Sequence, residues 1–268
     1  LLIFGVGIFP EWGLRGAAIA TAISRGLTMV LSFLVLRYRE KMIHFRGISI
    51  HEIIGIWKRL LYVSIPTSMS RMLAPVISGV LTAFLALYGK EAVAAYGVGT
   101  RIEFLLTSIL IALAVSMAPF AGQNLGARKV GRIVTAIKVA AGFNIIWAVA
   151  CSTVLILFHE NLIAIFTSNE ITISYLKKFI MVVLPASGFF GISLMINAVL
   201  NTSGKPFTAF YLQVVQMIFI LLPVAVLLQK KFHGYGVFYA IAIAYFLGGM
   251  INLLIGRRVL QKILLSQK

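Results

Sequence analysis

Seven stretches of this chain are long and apolar enough to cross a bilayer, and that limits the fold more than any other feature. A spanning helix needs about 20 mostly apolar residues, because only a helix pairs its own backbone groups across ~30 Å of hydrocarbon. The segments 14–36, 60–88, 93–119, 133–158, 176–200, 207–229 and 235–256 meet that requirement. Composition agrees: the mean hydropathy is +1.01, and 12% of residues are charged, about half the share usual in a soluble domain. The expected fold is an all-α polytopic membrane protein.

The charges are lopsided. Twenty-four Lys and Arg face seven acids, every one a Glu, for a formal net charge of +17. A nucleic-acid partner would need a basic stripe on a soluble surface, whereas these bases fall between the apolar runs, where they orient membrane helices. One set of alternate connections holds fifteen of them: Arg37, Arg39, Lys41, Arg46, Lys58, Arg59, Arg128, Lys129, Arg132, Lys138, Lys205, Arg257, Arg258, Lys262 and Lys268. The other set holds six, with Glu11, Glu91, Glu160 and Glu170. The richer side, which includes the C-terminus, is predicted to be cytoplasmic.

Chemistry that needs clustered ligands finds little here. Cys151 is the only cysteine, so neither an internal disulfide nor a cysteine-rich metal site is expected. The four histidines (His44, His51, His159 and His233) have no ligand-like grouping, and no nucleophile constellation or carboxylate pair is visible, so no metal, no catalytic residue and no enzyme is predicted. The glycine-rich stretch AGQNLGARKVGR lacks the spacing of a phosphate-binding loop.

Four charges fall inside spans: Arg25, Arg71, Arg101 and Glu103. Glu103 lies about eleven residues into its span, hence roughly 16 Å deep, where an unpaired charge costs about 2.5–3.5 kcal/mol or more. It is therefore expected to border a wet cavity as a proton-responsive, cation-attracting group, or to sit in a structural ion pair. Arg101, two residues earlier, points to another side of the helix; Arg71 and Arg25 are the candidates for pairing with Glu103 across helices.

Uncharged polar residues also recur within spans: Ser68, Ser70, Asn144, Asn197, Asn201, Gln213, Gln216 and Asn252. Such groups bond helix to helix or line a cavity, and the spacing of Asn197 and Asn201 places both on one face. Pro66, Pro75, Pro185 and Pro223 predict kinks or hinges. Tyr96, Phe104, Met69, Met72, Phe189, Phe190 and Met195 either pack helices or wall a forgiving pocket. T-S-N-E at 167–170 fits a capping box before the fifth span, and 37–59 is expected to lie along the membrane surface.

An internal echo aligns FPEWGLRGAAIATA with FHGYGVFYAIAIAY at an offset of 223 residues, as expected of repeats related by an axis along the membrane normal. On that reading residues 1–36 end an N-terminal lobe, 37–59 form a cytoplasmic linker, and 60–268 form a six-helix C-terminal lobe. The sequence would then be a piece of a longer protein, whose N-terminal lobe is the partner of this one.

GLRGAAIATAIS, SIPTSMSRMLAP, YGKEAVAAYGVGTRIEFL, APFAGQNLGARKVGR and LNTSGKP, in that order, resemble the C-terminal half of the multidrug and toxic-compound extrusion (MATE) family. The resemblance implies a two-lobe secondary antiporter of the plasma (inner) membrane, which exports organic cations or amphipathic compounds in exchange for H+ or Na+ and uses no other cofactor. Glu103, Arg101, Arg71, Ser68, Asn197 and Asn201 are the candidate substrate and ion pathway. Two departures stand against a simple carry-over: the second and fifth spans lack the acids usual in sodium-coupled relatives, and the first helix of the N-terminal lobe is not part of this sequence. A lipid-linked oligosaccharide flippase of the same wider superfamily is the alternative, with Arg25, Arg71 and Arg101 supplying the cationic cavity it would need.

Overall fold

Hydrocarbon leaves an apolar chain no choice but to pair its backbone locally, and every span is helical as predicted. The computed structural model describes residues 12–43, 47 and 49–266, the last three by backbone alone. The opening LLIFGVGIF run, the first residues of the internal echo, His44, Arg46 and Lys268 lie outside the described residues.

The helices are α1 (Gly13–Leu34), continued by a π turn over Val35–Arg39, then α2 (Ile50–Ala86), α3 (Lys90–Gly126) and α4 (Val130–Leu157). There follow α5 (His159–Phe166), α6 (Glu170–Thr202), α7 (Pro206–Val214), a π segment (Val215–Leu221), α8 (Leu222–Phe232) and α9 (Tyr235–Ser266). Among the described residues seven helices are long and apolar enough to cross a membrane, with α7, the π segment and α8 forming the sixth. The protein is thus a multi-pass, all-helical membrane protein, without strands among the described residues.

Two compact units divide the chain, residues 1–57 and 58–268. In the first unit, α2 opens with a capping box the sequence reading overlooked. The Ser49 amide donates to Glu52 Oε2 at 2.9 Å, and the Glu52 amide donates to Ser49 Oγ at 3.3 Å. The stretch expected to lie along the surface is therefore helical from Ile50 and continuous with the second span, rather than a separate element.

In the second unit α6 is the central helix and packs against α3, α9 and α4. Small residues allow this closeness: a Cβ on Gly188 would stand 2.8 Å from the Asn144 carbonyl oxygen, and one on Gly191 equally close to Asn144 Oδ1. Two apolar cores lie along α6. Leu85, Ala92, Phe179, Leu184 and Phe238 belong to one, and Ala121, Ile133, Met195, Ile196 and Leu260 to the other. Met195 is fully buried in the second, so it is a packing residue and not a pocket wall.

Local chemistry fixes the helix ends. The cap of α6 is Asn169, whose Oδ1 accepts from the Thr172 amide at 3.0 Å, while Thr167 Oγ1 accepts from the Asn169 amide. The predicted box is thus displaced by two residues, because Asn competes for the cap position. Pro66 and Pro75 lie within α2, Pro185 within α6, and Pro119, outside the predicted kinks, within α3. Pro223 lies inside the sixth span, directly after the π segment, in the first turn of α8.

The α8–α9 hairpin depends on Gly236, whose Cβ, were there one, would sit 2.4 Å from the Leu228 carbonyl carbon and oxygen. Backbone cannot swing aside as a side chain can, so Gly236→Ala is expected to lower stability by about 1–3 kcal/mol. Gly142→Ala, at a helical position with open space around it, should be neutral or stabilise by up to about 1 kcal/mol. Thermal unfolding of the two variants in detergent checks both values; equal behaviour would show that the hairpin does not need this close approach.

Candidate functional site

A carboxylate inside an apolar bundle must find a donor, and Glu103 finds one on another span. The Tyr245 hydroxyl of α9 donates to Glu103 Oε1 at 2.8 Å, joining α3 to α9. The Tyr245 ring is itself held by stacking on Phe190 of α6, with centroids 4.9 Å apart and planes 26° from parallel. Tyr96, two helical turns before Glu103 on the same side of α3, lies in the electrostatic field of that carboxylate. Its hydroxyl is 3.4 Å from Ser78 Oγ of α2, and its ring meets Phe179 edge-on. Side chains from α2, α3, α6 and α9 thus converge around one half-buried acid.

No cation completes the group. Among the described residues the ion pairs are Arg39 with Glu40 and His159 with Glu160, so the expected clasp between Glu103 and Arg71 is not formed. The reason is placement: Arg71 and Arg101 are exposed on the second unit, while Glu103 turns inward toward α9. Arg25 is exposed on α1, in the first unit. Ser68 is exposed as well, one turn from Arg71 on α2.

Asn197 and Asn201 are half-buried on α6, and the Oδ1 of each is buried without a hydrogen-bond partner. Asn197 follows Phe190 by seven residues, and Asn252 follows Tyr245 by seven, so both amides lie two turns beyond the stacked ring pair on adjacent helices. Asn252 is fully buried; its amide nitrogen donates to the Gly248 carbonyl at 2.8 Å and its Oδ1 has no partner. Three orphaned carboxamide oxygens in an apolar setting are the usual mark of bridging water. Asn197 and Asn201 thus share one face of α6, as their spacing predicts, with Asn252 on the adjacent α9.

Gln213 and Gln216 behave differently from each other. Gln213 Nε2 donates to the Ser70 carbonyl at 3.0 Å, tying α7 to α2 one residue before the carbonyl that Pro75 leaves without its helical donor. Gln216 is buried in the π segment against Gly248, where any side chain at 248 would collide with it.

Sequence reasoning missed Tyr245 and Ser78. Tyr245 carried a usable signal, since a tyrosine in the middle of an apolar span brings a hydroxyl that must be bonded. Ser78 carried none, because serines at such positions mostly bond their own helix.

Comparison with known proteins places this architecture in a family. The MatE family model matches residues 66–227. The FAD transporter of Shewanella oneidensis is 30% identical over 227 residues, covering 85% of this chain and 50% of the relative. The probable multidrug resistance protein YoeA of Bacillus subtilis is 26% identical over 208 residues, covering 76% and 45%. The crystal structure of the Vibrio cholerae MATE transporter VcmN in the bent form superposes with a TM-score of 0.87 at 24% identity, covering 98% of this chain and 59% of that one. The chain belongs to the MATE family, whose members are transporters and not enzymes. It spans about half the length of the curated relatives it matches.

If the hydroxyl supports the carboxylate as the geometry indicates, the two residues are coupled energetically. Glu103→Leu, Tyr245→Phe and the double variant should give a coupling of about 1–2 kcal/mol in unfolding free energy. Additive losses would show that the 2.8 Å contact contributes nothing of its own.

Proposed function

We propose that this chain is the C-terminal part of a secondary active antiporter that exports organic cations or other amphipathic compounds in exchange for H+ or Na+. On this reading it resides in the plasma membrane with its C-terminus cytoplasmic, and the connections rich in Lys and Arg support that orientation. The observation that carries the proposal is Glu103 bonded to a neutral tyrosine hydroxyl, with no ion-paired cation among the described residues. A carboxylate held in that way keeps its charge available. Ionised, it attracts a cationic substrate or a sodium ion; protonated, it releases that attraction, and the difference couples the two fluxes. Arg71, Arg101, Ser68, Asn197 and Asn201 would line the path.

The sign of the pH effect follows. Protons arriving from the acidic side neutralise Glu103 and weaken its hold on a cation, so cation export should be driven by an inward proton gradient. In the intact protein, Glu103→Gln fixes the neutral state and is expected to cut cation export at least tenfold or to flatten its dependence on pH. Transport in everted vesicles at several pH values reads this; a profile identical to wild type would end Glu103's candidacy and shift coupling to residues outside this sequence.

A second reading has a specific observation behind it. Arg71 and Arg101 are exposed within spans and have no acid beside them among the described residues, which suits an anionic substrate, and the S. oneidensis relative is named a FAD transporter. Arg71→Gln with Arg101→Gln should then abolish FAD export and spare a cationic dye. The opposite selectivity would favour the cation reading.

A further inference from the structure

The base-rich ends of the second unit's helices carry a cleft that the transport reading does not use. It lies between the start of α7 and the last turns of α9, has a volume of about 370 Å³, and is lined by Lys205, Thr208, Val259, Lys262 and Ile263. We propose that this cleft binds the phosphate headgroup of an anionic membrane lipid.

The chain builds the site from both sides. Gly204 takes a left-handed conformation, φ 71°, and the Lys205 amide donates back to the Leu200 carbonyl at 2.9 Å, so the turn closing α6 is tightly bound. That turn delivers Lys205 to the edge of the cleft, and Pro206 opens α7 directly after it. Thr208 adds a hydroxyl from the first turn of α7. On α9, Val259, Lys262 and Ile263 share one side by their three- and four-residue spacing, which puts one ammonium beside two apolar side chains.

Charge selects the ligand. No acid occurs in the sequence after Glu170, which opens α6 at its opposite end, so α7, α8, α9 and the end of α6 at the cleft offer these lysines only further bases, among them the exposed Arg257 and Arg258. Neither lysine is ion-paired to a described residue. Two ammonium groups, one from the α6–α7 turn and one from α9, with one hydroxyl match the oxygens of a phosphodiester. Basic pockets between membrane helices near the polar boundary take anionic headgroups in this way. The apolar pair Val259 and Ile263 identifies the source as a lipid and not a free phosphate, because the same molecule must continue into hydrocarbon. By contrast, the cleft beside α5 contains Glu160 together with His159 and Lys177, and lacks this single-sign lining.

Native mass spectrometry of the detergent-purified protein tests the proposal, with phosphatidylglycerol or phosphatidylcholine added in turn. Wild type should retain phosphatidylglycerol preferentially. Lys205→Gln with Lys262→Gln should lower its occupancy affinity by roughly 30-fold, given the usual contribution of two surface lysines. Lys205→Arg with Lys262→Arg should preserve it, and Lys230→Gln with Lys231→Gln, which removes equal charge from the end of α8, should leave it unchanged. Equal losses in the two glutamine variants, loss in the arginine variant, or displacement of the lipid by millimolar inorganic phosphate would each overturn the assignment.

Discussion

A hydroxyl donated to a carboxylate in the middle of an apolar bundle is the contact on which this unit's organisation turns. Tyr245 and Glu103 belong to helices that both flank α6, and their bond encloses that helix at the level where its two apolar cores meet. The alternatives were costlier. A bare carboxylate would need water throughout, and an arginine partner would neutralise it at the cost of desolvating two charges. A neutral donor satisfies one carboxylate oxygen without placing a second charge in the apolar bundle. The stacked Phe190 gives the donor a fixed orientation without adding a competing polar group.

The same arrangement leaves α2 lightly attached. Its polar connections to the rest of the second unit are the long contact between Ser78 and Tyr96 and the bond from Gln213 to the Ser70 carbonyl. Two prolines, Pro66 and Pro75, interrupt it, and many of its large side chains, among them Met69, Met72 and Val76, are exposed. Ile77, Leu81 and Leu85 fix the last turns of α2 in the first core, so the exposed stretch before them is the part with least to resist a change of shape. Arg71 rides on this helix, so its environment depends on the helix's conformation more than that of Glu103 does.

Hydropathy made the spans legible because the requirement is one of length and composition, which a sequence states directly. It placed Glu103 correctly as an interior acid by the same reasoning. Partner choice was not legible: Arg71 and Arg25 looked like the natural counterions, and the donor proved to be a tyrosine 142 residues away. Nothing in spacing along one helix tells which face of another it meets. End effects were mixed. The cap at Asn169 was anticipated within two residues, whereas the reciprocal box of Ser49 and Glu52 was hidden inside a stretch read as an interfacial linker. The short α5 was absorbed into a connection because eight residues are too few to show a period.

The sixth span shows how packing decides a feature that propensity does not. Nothing in VQMIFIL argues against a regular helix, yet residues 215–221 are wound as a π segment. Gln216 supplies the physical reason. Its carboxamide is large and polar, and it occupies the space left by the absent side chain of Gly248, closer to α9 than a regular helix bearing an ordinary neighbour would permit. Widening the turn lets Gln216 reach that space while Gln213, three residues earlier, keeps its bond to the Ser70 carbonyl on α2. One glutamine is committed to a rigid glycine cleft and the other to a proline-weakened helix. The π winding begins between the two, where one span has to meet both demands.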